Sequence, residues 1–180
     1  MAAEQMREIK IKPSRIILEP VGKNTAPAVA LGALTALEIE DDPLLLVLSS
    51  DHQIEDNNKF IEVINKAMNL ALEDKLVTFG VVPNSPETGY GYIKSEKAFG
   101  TSNIEEYKIS EFIEKPSYKK ACEFIKEKKY TWNSGMFFFK ANTIVNELNK
   151  YCPEILDCCN QTLKTSKFDL DFQRLKKEDF

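Results

Sequence analysis

The sequence predicts an α/β fold, a mainly parallel sheet covered by helices with a small antiparallel insertion. Three observations predict it. Candidate strands alternate with candidate helices for most of the chain, the order that follows when each parallel crossover carries a helix. Leu44 to Leu48 is an unbroken aliphatic run of the length expected for an interior parallel strand. Between Gly89 and Ile113, two strand-like stretches are joined by a polar link without helical periodicity, a pattern that suits an antiparallel pair.

Taken in order, Ser14 to Leu18 reads as a short strand ending at Glu19-Pro20, and Val21-Gly22-Lys23 as the turn that follows. A helix starts near Asn24 or Thr25 with Pro27 in its first turn, and its nearly all-round apolar character to Ile39 predicts burial on more than one face. The aliphatic strand 44–48 leaves through Ser49-Ser50-Asp51-His52. Phe60, Ile64, Ala67, Met68 and Ala71 recur at helical spacing over Asn57 to Leu72, and Leu76 to Val82 returns as a strand closed by Pro83. Gly89 to Ile93 and Tyr107 to Ile113 form the expected insertion. Tyr118 to Lys129 is a charged amphipathic helix, Trp132 to Phe139 an aromatic strand, and Ala141 to Tyr151 and Pro153 to Thr165 two further helices. The last dozen residues carry mixed charges with Phe168, Leu170, Phe172 and Leu175, without a cap or stop signal.

The chain has 180 residues, enough for one compact domain, and its 43% hydrophobic and 29% charged residues place it in the ordinary globular class. With 24 basic against 28 acidic residues the net charge is −4, which offers no general attraction for nucleic acid or an anionic membrane. No run approaches the roughly 18 to 20 apolar residues of a membrane span, and Met1 to Lys12 lacks a signal-peptide core, so a cytoplasmic location is expected. Cys122, Cys152, Cys158 and Cys159 lack paired C-x-x-C spacing and read as free thiols.

In open parallel sheets, ligands bind beyond the carboxyl ends of the strands, which draws attention to Asp51. A carboxylate there either helps hold a hard cation such as Mg2+ or merely caps the local turn. His52, the sole histidine, is assigned no role. Gly89-Tyr90-Gly91 either lets backbone approach a ligand or eases a bend. Glu114-Lys115-Pro116 sets a carboxylate that accepts sugar hydroxyls beside an ammonium that neutralises phosphate, or forms a solvated ion pair. Asn133 in Trp132-Asn133-Ser134-Gly135-Met136 offers a donor and an acceptor over small residues at a strand start, or sits in an exposed turn. Asn24-Thr25-Ala26-Pro27 opens a helix whose free N–H groups suit an anion or a simple cap.

In this order, the segments EPVGKNTAPA from Glu19, Ser50-Asp51-His52, ETGYGYI from Glu87, FIEKP from Phe112 and WNSGMF from Trp132 resemble the mannose-1-phosphate guanylyltransferases of bacterial polysaccharide synthesis. The resemblance implies a Rossmann-like sheet of the nucleotide-diphospho-sugar transferase type, with residues 1–180 as one partial domain incomplete at the N-terminus. It implies transfer of GMP from GTP to mannose 1-phosphate, giving GDP-mannose and pyrophosphate, with Mg2+ as cofactor. Asp51 would hold the metal and Lys115 the sugar phosphate, both in catalytic roles. Glu19, Gly22, Asn24 and Thr25 would contact the nucleotide, while Tyr90, Gly91, Glu114 and Asn133 would line the sugar pocket.

The chain also departs from that pattern. It lacks the G-G-x-G-T-R-L loop that cradles the triphosphate, and it stops at Lys177-Glu178-Asp179-Phe180, before the S-I-D-Y segment with a second metal-binding Asp. Ser49 stands where Pro is usual and Lys23 where Arg is usual. A truncated, weakly active or inactive domain is therefore expected, assembled as a homo-oligomer. The alternatives are a non-catalytic sugar-phosphate-binding or assembly module, or a related hexose-1-phosphate uridylyl- or thymidylyltransferase.

Overall fold

The structure is a computed structural model that describes residues 2–100 and 104–180. Thr101 to Asn103, part of the polar link, lie outside the described residues. The fold is mixed α/β with helices flanking sheet, in two compact units, one of residues 1–43 and 140–180 and the other of residues 44–139.

The first unit contains α1 (Ala2–Glu8), β1 (Ile17–Leu18) and α2 (Thr25–Leu37). In the following numbering, the unit closes with α5 (Ala141–Tyr151), α6 (Pro153–Thr165), β7 (Lys167–Asp169) and β8 (Phe172–Arg174), after the strands and helices of the second unit. Ala30, Leu31, Ala33 and Thr35 of α2 are buried, and the helix packs on both α5 and α6, which is the use its broad apolar surface predicts. Leu31, Leu148, Leu156, Cys159, Leu163 and Leu175 form the core. Two elements escape the sequence reading: α1, whose charged heptapeptide has too little apolar periodicity, and the β7–β8 hairpin near the C-terminus. β8 also pairs in parallel with β1, opposing Ile17 to Gln173 and Leu18 to Arg174.

The core explains the chemistry of one thiol. Cys159 is 1% exposed, and burial, with smaller contributions from Cys158 and Glu19, pushes its pKa up to about 11 from an ordinary 9.0. Thiolate is the reactive form. At pH 8 a thiol reagent should therefore label the half-buried Cys122, Cys152 and Cys158 before Cys159, and unfolding should release the last equivalent, as a labelling time course followed by mass spectrometry would show. Because the folded state holds this proton more tightly than the unfolded state, the associated stability is complete below about pH 9 and is lost as pH rises through 11.

The second unit holds β2 (Leu44–Val47), α3 (Asn57–Leu72), β3 (Val77–Val81), β4 (Tyr92–Ser95), β5 (Ile109–Ile113), α4 (Tyr118–Lys126) and β6 (Tyr130–Lys140), whose last residue falls in the first unit. Its strands run in the order β2-β6-β4-β5, with β3 also paired to β6. β4 and β5 form the expected antiparallel insertion, although β4 begins at Tyr92, after Gly89-Tyr90-Gly91. The expectation of a mainly parallel sheet is corrected, because β3–β6, β4–β6 and β4–β5 are all antiparallel. β2 and β3 each border the long β6, and a strand's hydrophobic period carries no information about its neighbour's direction.

α3 lays Ala67 and Ala71 against Phe138, with Leu44, Leu46, Val77 and Phe79 around them. The opposite end of the sheet has its own cluster, in which Phe124 of α4 stacks on Tyr130 at 4.1 Å between ring centres. The start of α3 is fixed by Asp56, whose carboxylate accepts the Lys59 N–H at 2.9 Å. Asp56→Ala should cost about 1 kcal/mol, a Tm decrease of roughly 2–4 °C by calorimetry. Among the described residues no helix is long and apolar enough to cross a membrane.

Candidate functional site

Three adjacent strand segments bring the central candidate residues together. Tyr92 pairs with Ile113 of β5 on one side and Trp132 of β6 on the other, so Gly91, one residue earlier, lies between Glu114 and Asn133. The Asn133 N–H donates to the Gly91 carbonyl at 2.8 Å. Gly91 is buried, and a Cβ on it would lie 3.0 Å from Glu114 Oε2 and 2.8 Å from Phe112 Cζ. Glycine leaves room here for close approach: the carboxylate and the aromatic ring rest where a side chain would stand.

Asn133 does not sit at a strand start, as the sequence suggests, but inside β6 beside an irregularity. Between the pairs Thr78–Phe137 and Gly80–Asn133, β3 advances by two residues while β6 advances by four, leaving a bulge at Ser134-Gly135-Met136. Gly135 takes φ +71° there, a conformation that favours glycine. Asn133 Oδ1 accepts from the Gly135 N–H at 3.3 Å; the Thr78 hydroxyl lies 3.2 Å from the same oxygen, and nearer, at 3.0 Å, to the Met136 carbonyl that accepts its proton. The Gly135 N–H, a donor only, fixes which end of the amide is oxygen and leaves its NH2 donors available. Thr78 is not legible as a site residue in the sequence, because only the strand register shows which residue faces Asn133.

Tyr90 is placed apart from this trio. Its ring meets Trp132 edge-on at 5.2 Å, and side chains alternate across a strand, so Trp132 shares the α4 face with Tyr92 and Tyr130 while Asn133 lies on the other. The Trp132 indole N–H is buried without a hydrogen-bond partner.

Lys115 Nζ lies 3.6 Å from Glu114 Oε1, and the two side chains are 64% and 61% exposed, so the pair adds little to stability. Yet Lys115 holds φ +43° immediately before Pro116, where an extended conformation is the norm. That conformation costs on the order of 1 kcal/mol, which the exposed ion pair does not offset. Asp51 is exposed in a turn beyond β2. Its loop reaches the bulge of β6 through Ser49, whose Oγ lies 3.7 Å from the position of a Cβ on Gly135. His52 is exposed as well.

In the other unit, Glu19 follows β1 directly, and one of its carboxylate oxygens is buried without a hydrogen-bond partner. Asn24 adopts φ +67°, ψ −165°, a region otherwise restricted to glycine, and its side chain makes no capping bond to α2. Thr25 opens α2, exposed, and an added Cβ on the exposed Gly22 would meet nothing within 4 Å.

The described residues contain no group of three or more His, Cys, Asp and Glu side chains arranged for a metal. A lone carboxylate such as Asp51 fits Mg2+ only as an ion shared with nucleotide phosphates and water, which is this cation's ordinary habit.

Residues 1–179 match the family described as Nucleotidyl transferase. The chain belongs to the nucleotidyl transferase family. This family member is 48% identical over 182 residues to mannose-1-phosphate guanylyltransferase RfbM of Salmonella typhimurium, covering 100% of this chain and 37% of the relative. It is 47% identical over 180 residues to the xanthan biosynthesis protein XanB of Xanthomonas campestris and 45% over 183 residues to the mannose-1-phosphate guanylyltransferase of Escherichia coli; both matches cover 100% of this chain and 38% of the relative. The chain thus spans well under half the length of these relatives. Among solved structures, one described as mannose-6-phosphate isomerase from Helicobacter pylori superposes with TM-score 0.84 at 36% identity, over 99% of this chain and 67% of that one. One described as a mannose-1-phosphate geranyltransferase from Thermus thermophilus gives TM-score 0.75 at 34% identity, over 92% and 47%.

Proposed function

We propose that this nucleotidyl transferase chain carries the sugar-phosphate subsite, and part of the nucleotide subsite, of an enzyme making GDP-mannose and pyrophosphate from GTP and mannose 1-phosphate in the cytoplasm. The observation that carries the reading is Gly91 held bare between the Glu114 carboxylate and the Asn133 amide. Its identity of 45% to 48% with mannose-1-phosphate guanylyltransferases supports the same substrates.

In this reading Glu114 accepts hydrogen bonds from sugar hydroxyls, Asn133 donates to them, and Gly91 lets the ring approach the backbone. Tyr90, seated edge-on against Trp132 and apart from this trio, contributes no side chain to the pocket. Lys115 receives the sugar phosphate, offsetting charge as two anions are brought together. A phosphate oxygen of mannose 1-phosphate then attacks the α-phosphorus of GTP, a new P–O bond forms, and the bond to the leaving pyrophosphate breaks. Such transfer is chiefly alignment and charge neutralisation. Bound Mg2+ would neutralise phosphate charge, with Asp51 as its protein ligand. The unsatisfied Glu19 oxygen suits the N–H donors of a guanine edge, with Gly22, Asn24 and Thr25 contacting the same nucleotide.

Calorimetric titration of the native chain with mannose 1-phosphate, glucose 1-phosphate and GTP tests the reading, alongside pyrophosphate release from GTP and mannose 1-phosphate in the presence of Mg2+. Mannose 1-phosphate is expected to bind more tightly than glucose 1-phosphate, with slow turnover. Absence of mannose 1-phosphate binding, or preference for the glucose ester, refutes it.

A further inference from the structure

Phe112 has no role in the reading above. An exposed aromatic residue is ordinary by itself. The position of this one is unusual: it is 53% exposed, its Cζ lies 2.8 Å from where a Cβ on Gly91 would be, and Glu114 Oε2 lies 3.0 Å from the same point. Phe112 pairs with Ile93, and alternation along β5 puts it on the face that carries Glu114 and, across Gly91, Asn133. One flank of the ring rests on bare backbone, and about half of the side chain remains open beside a carboxylate acceptor and an amide donor. An apolar surface among a few convergent polar groups is the ordinary makeup of a small-molecule site.

A pyranose ring has the complementary makeup, with hydroxyls around its rim and C–H bonds on its face. We propose that Phe112 is the stacking floor of the hexose subsite, its ring covering the C–H face of the sugar while Glu114 and Asn133 engage the hydroxyls. This rests on the assignment of Gly91, Glu114 and Asn133 to the sugar. Covering the open part of an aromatic ring removes enough apolar surface from water to account for about a tenfold gain in affinity. The contribution reads the sugar ring, and the phosphate does not share it.

The test is calorimetry on the full chain with two probes, mannose 1-phosphate and inorganic phosphate, using Phe112→Ala, Phe112→Leu, Phe112→Tyr and Asn133→Ala. Phe112→Ala is expected to weaken mannose 1-phosphate binding about tenfold without changing the response to phosphate. Phe112→Leu, which keeps bulk but not a flat face, should fall between, and Phe112→Tyr should bind as the native chain does. If Asn133→Ala loses affinity while Phe112→Ala or Phe112→Leu binds as native, the floor is disproved and the sugar assignment stands. If the native chain binds no mannose 1-phosphate, the sugar assignment fails and the floor fails with it.

Discussion

On the proposed sugar-phosphate reading, Gly91→Ala should reduce mannose 1-phosphate affinity about 100-fold, roughly 2.7 kcal/mol, while leaving the thermal stability of the chain nearly unchanged. The added methyl would stand 2.8 Å from Phe112 Cζ and 3.0 Å from Glu114 Oε2, closer than packed atoms sit. Both are outer ends of largely exposed side chains, so they can swing away without moving the strands. Gly91 carries no positive φ, so alanine suits its backbone, and the less flexible unfolded chain offsets part of any strain. The movement would instead disperse the acceptor and the ring beside Asn133, and a methyl would occupy the position proposed for the sugar. Calorimetric binding and differential scanning measured on one preparation separate the two effects. Native-like affinity in this variant would show that the glycine is no part of a ligand site, whereas a large loss of Tm would show that its bareness serves packing.

The converse is expected at Gly80, where alanine should remove about 3 kcal/mol of stability and lower Tm by roughly 6–12 °C. A Cβ at Gly80 would lie 2.2 Å from Thr131 Oγ1, 2.7 Å from its Cβ and 3.0 Å from its Cγ2. Threonine is branched at Cβ and cannot turn every one of these atoms aside, so β3 and β6 would have to part. Adding Thr131→Gly removes all three contacts, and the double variant should recover most of the loss, a coupling that a thermodynamic cycle measures directly. Equal Tm values for native chain and Gly80→Ala would contradict the strand pairing on which the Asn133 geometry depends.

Much of the chain is legible in its sequence, and the misses have physical causes. α2 and α3 can be read from periodicity because a helix must bury a continuous stripe, and their ends fall at Asn24 and Asp56, residue types that suit an exposed helix start. The strands are legible as elements but not as neighbours. Nothing local in Leu44 to Val47 or Val77 to Val81 announces that both border β6, or that β3 and β4 each meet it in antiparallel sense. The ordered motifs supply the candidate site residues, yet not their arrangement. Asn133 looks like the beginning of a strand because its polar and small neighbours resemble a turn, and a mid-strand bulge uses the same residues. Phe112 lies within one of the motifs without a role there, since its closeness to Gly91 exists only once β4 and β5 are in register.

The seat of Trp132 gives the chain an optical probe. It is the sole tryptophan, half-buried beside Tyr90 and among the rings of Tyr92, Phe124 and Tyr130, on the sheet face that does not carry Asn133. Its emission therefore reports the melting of residues 44–139, whereas far-ultraviolet ellipticity sums the helices of both units. Overlaid curves from the two signals would reveal whether the halves lose structure as one cooperative body.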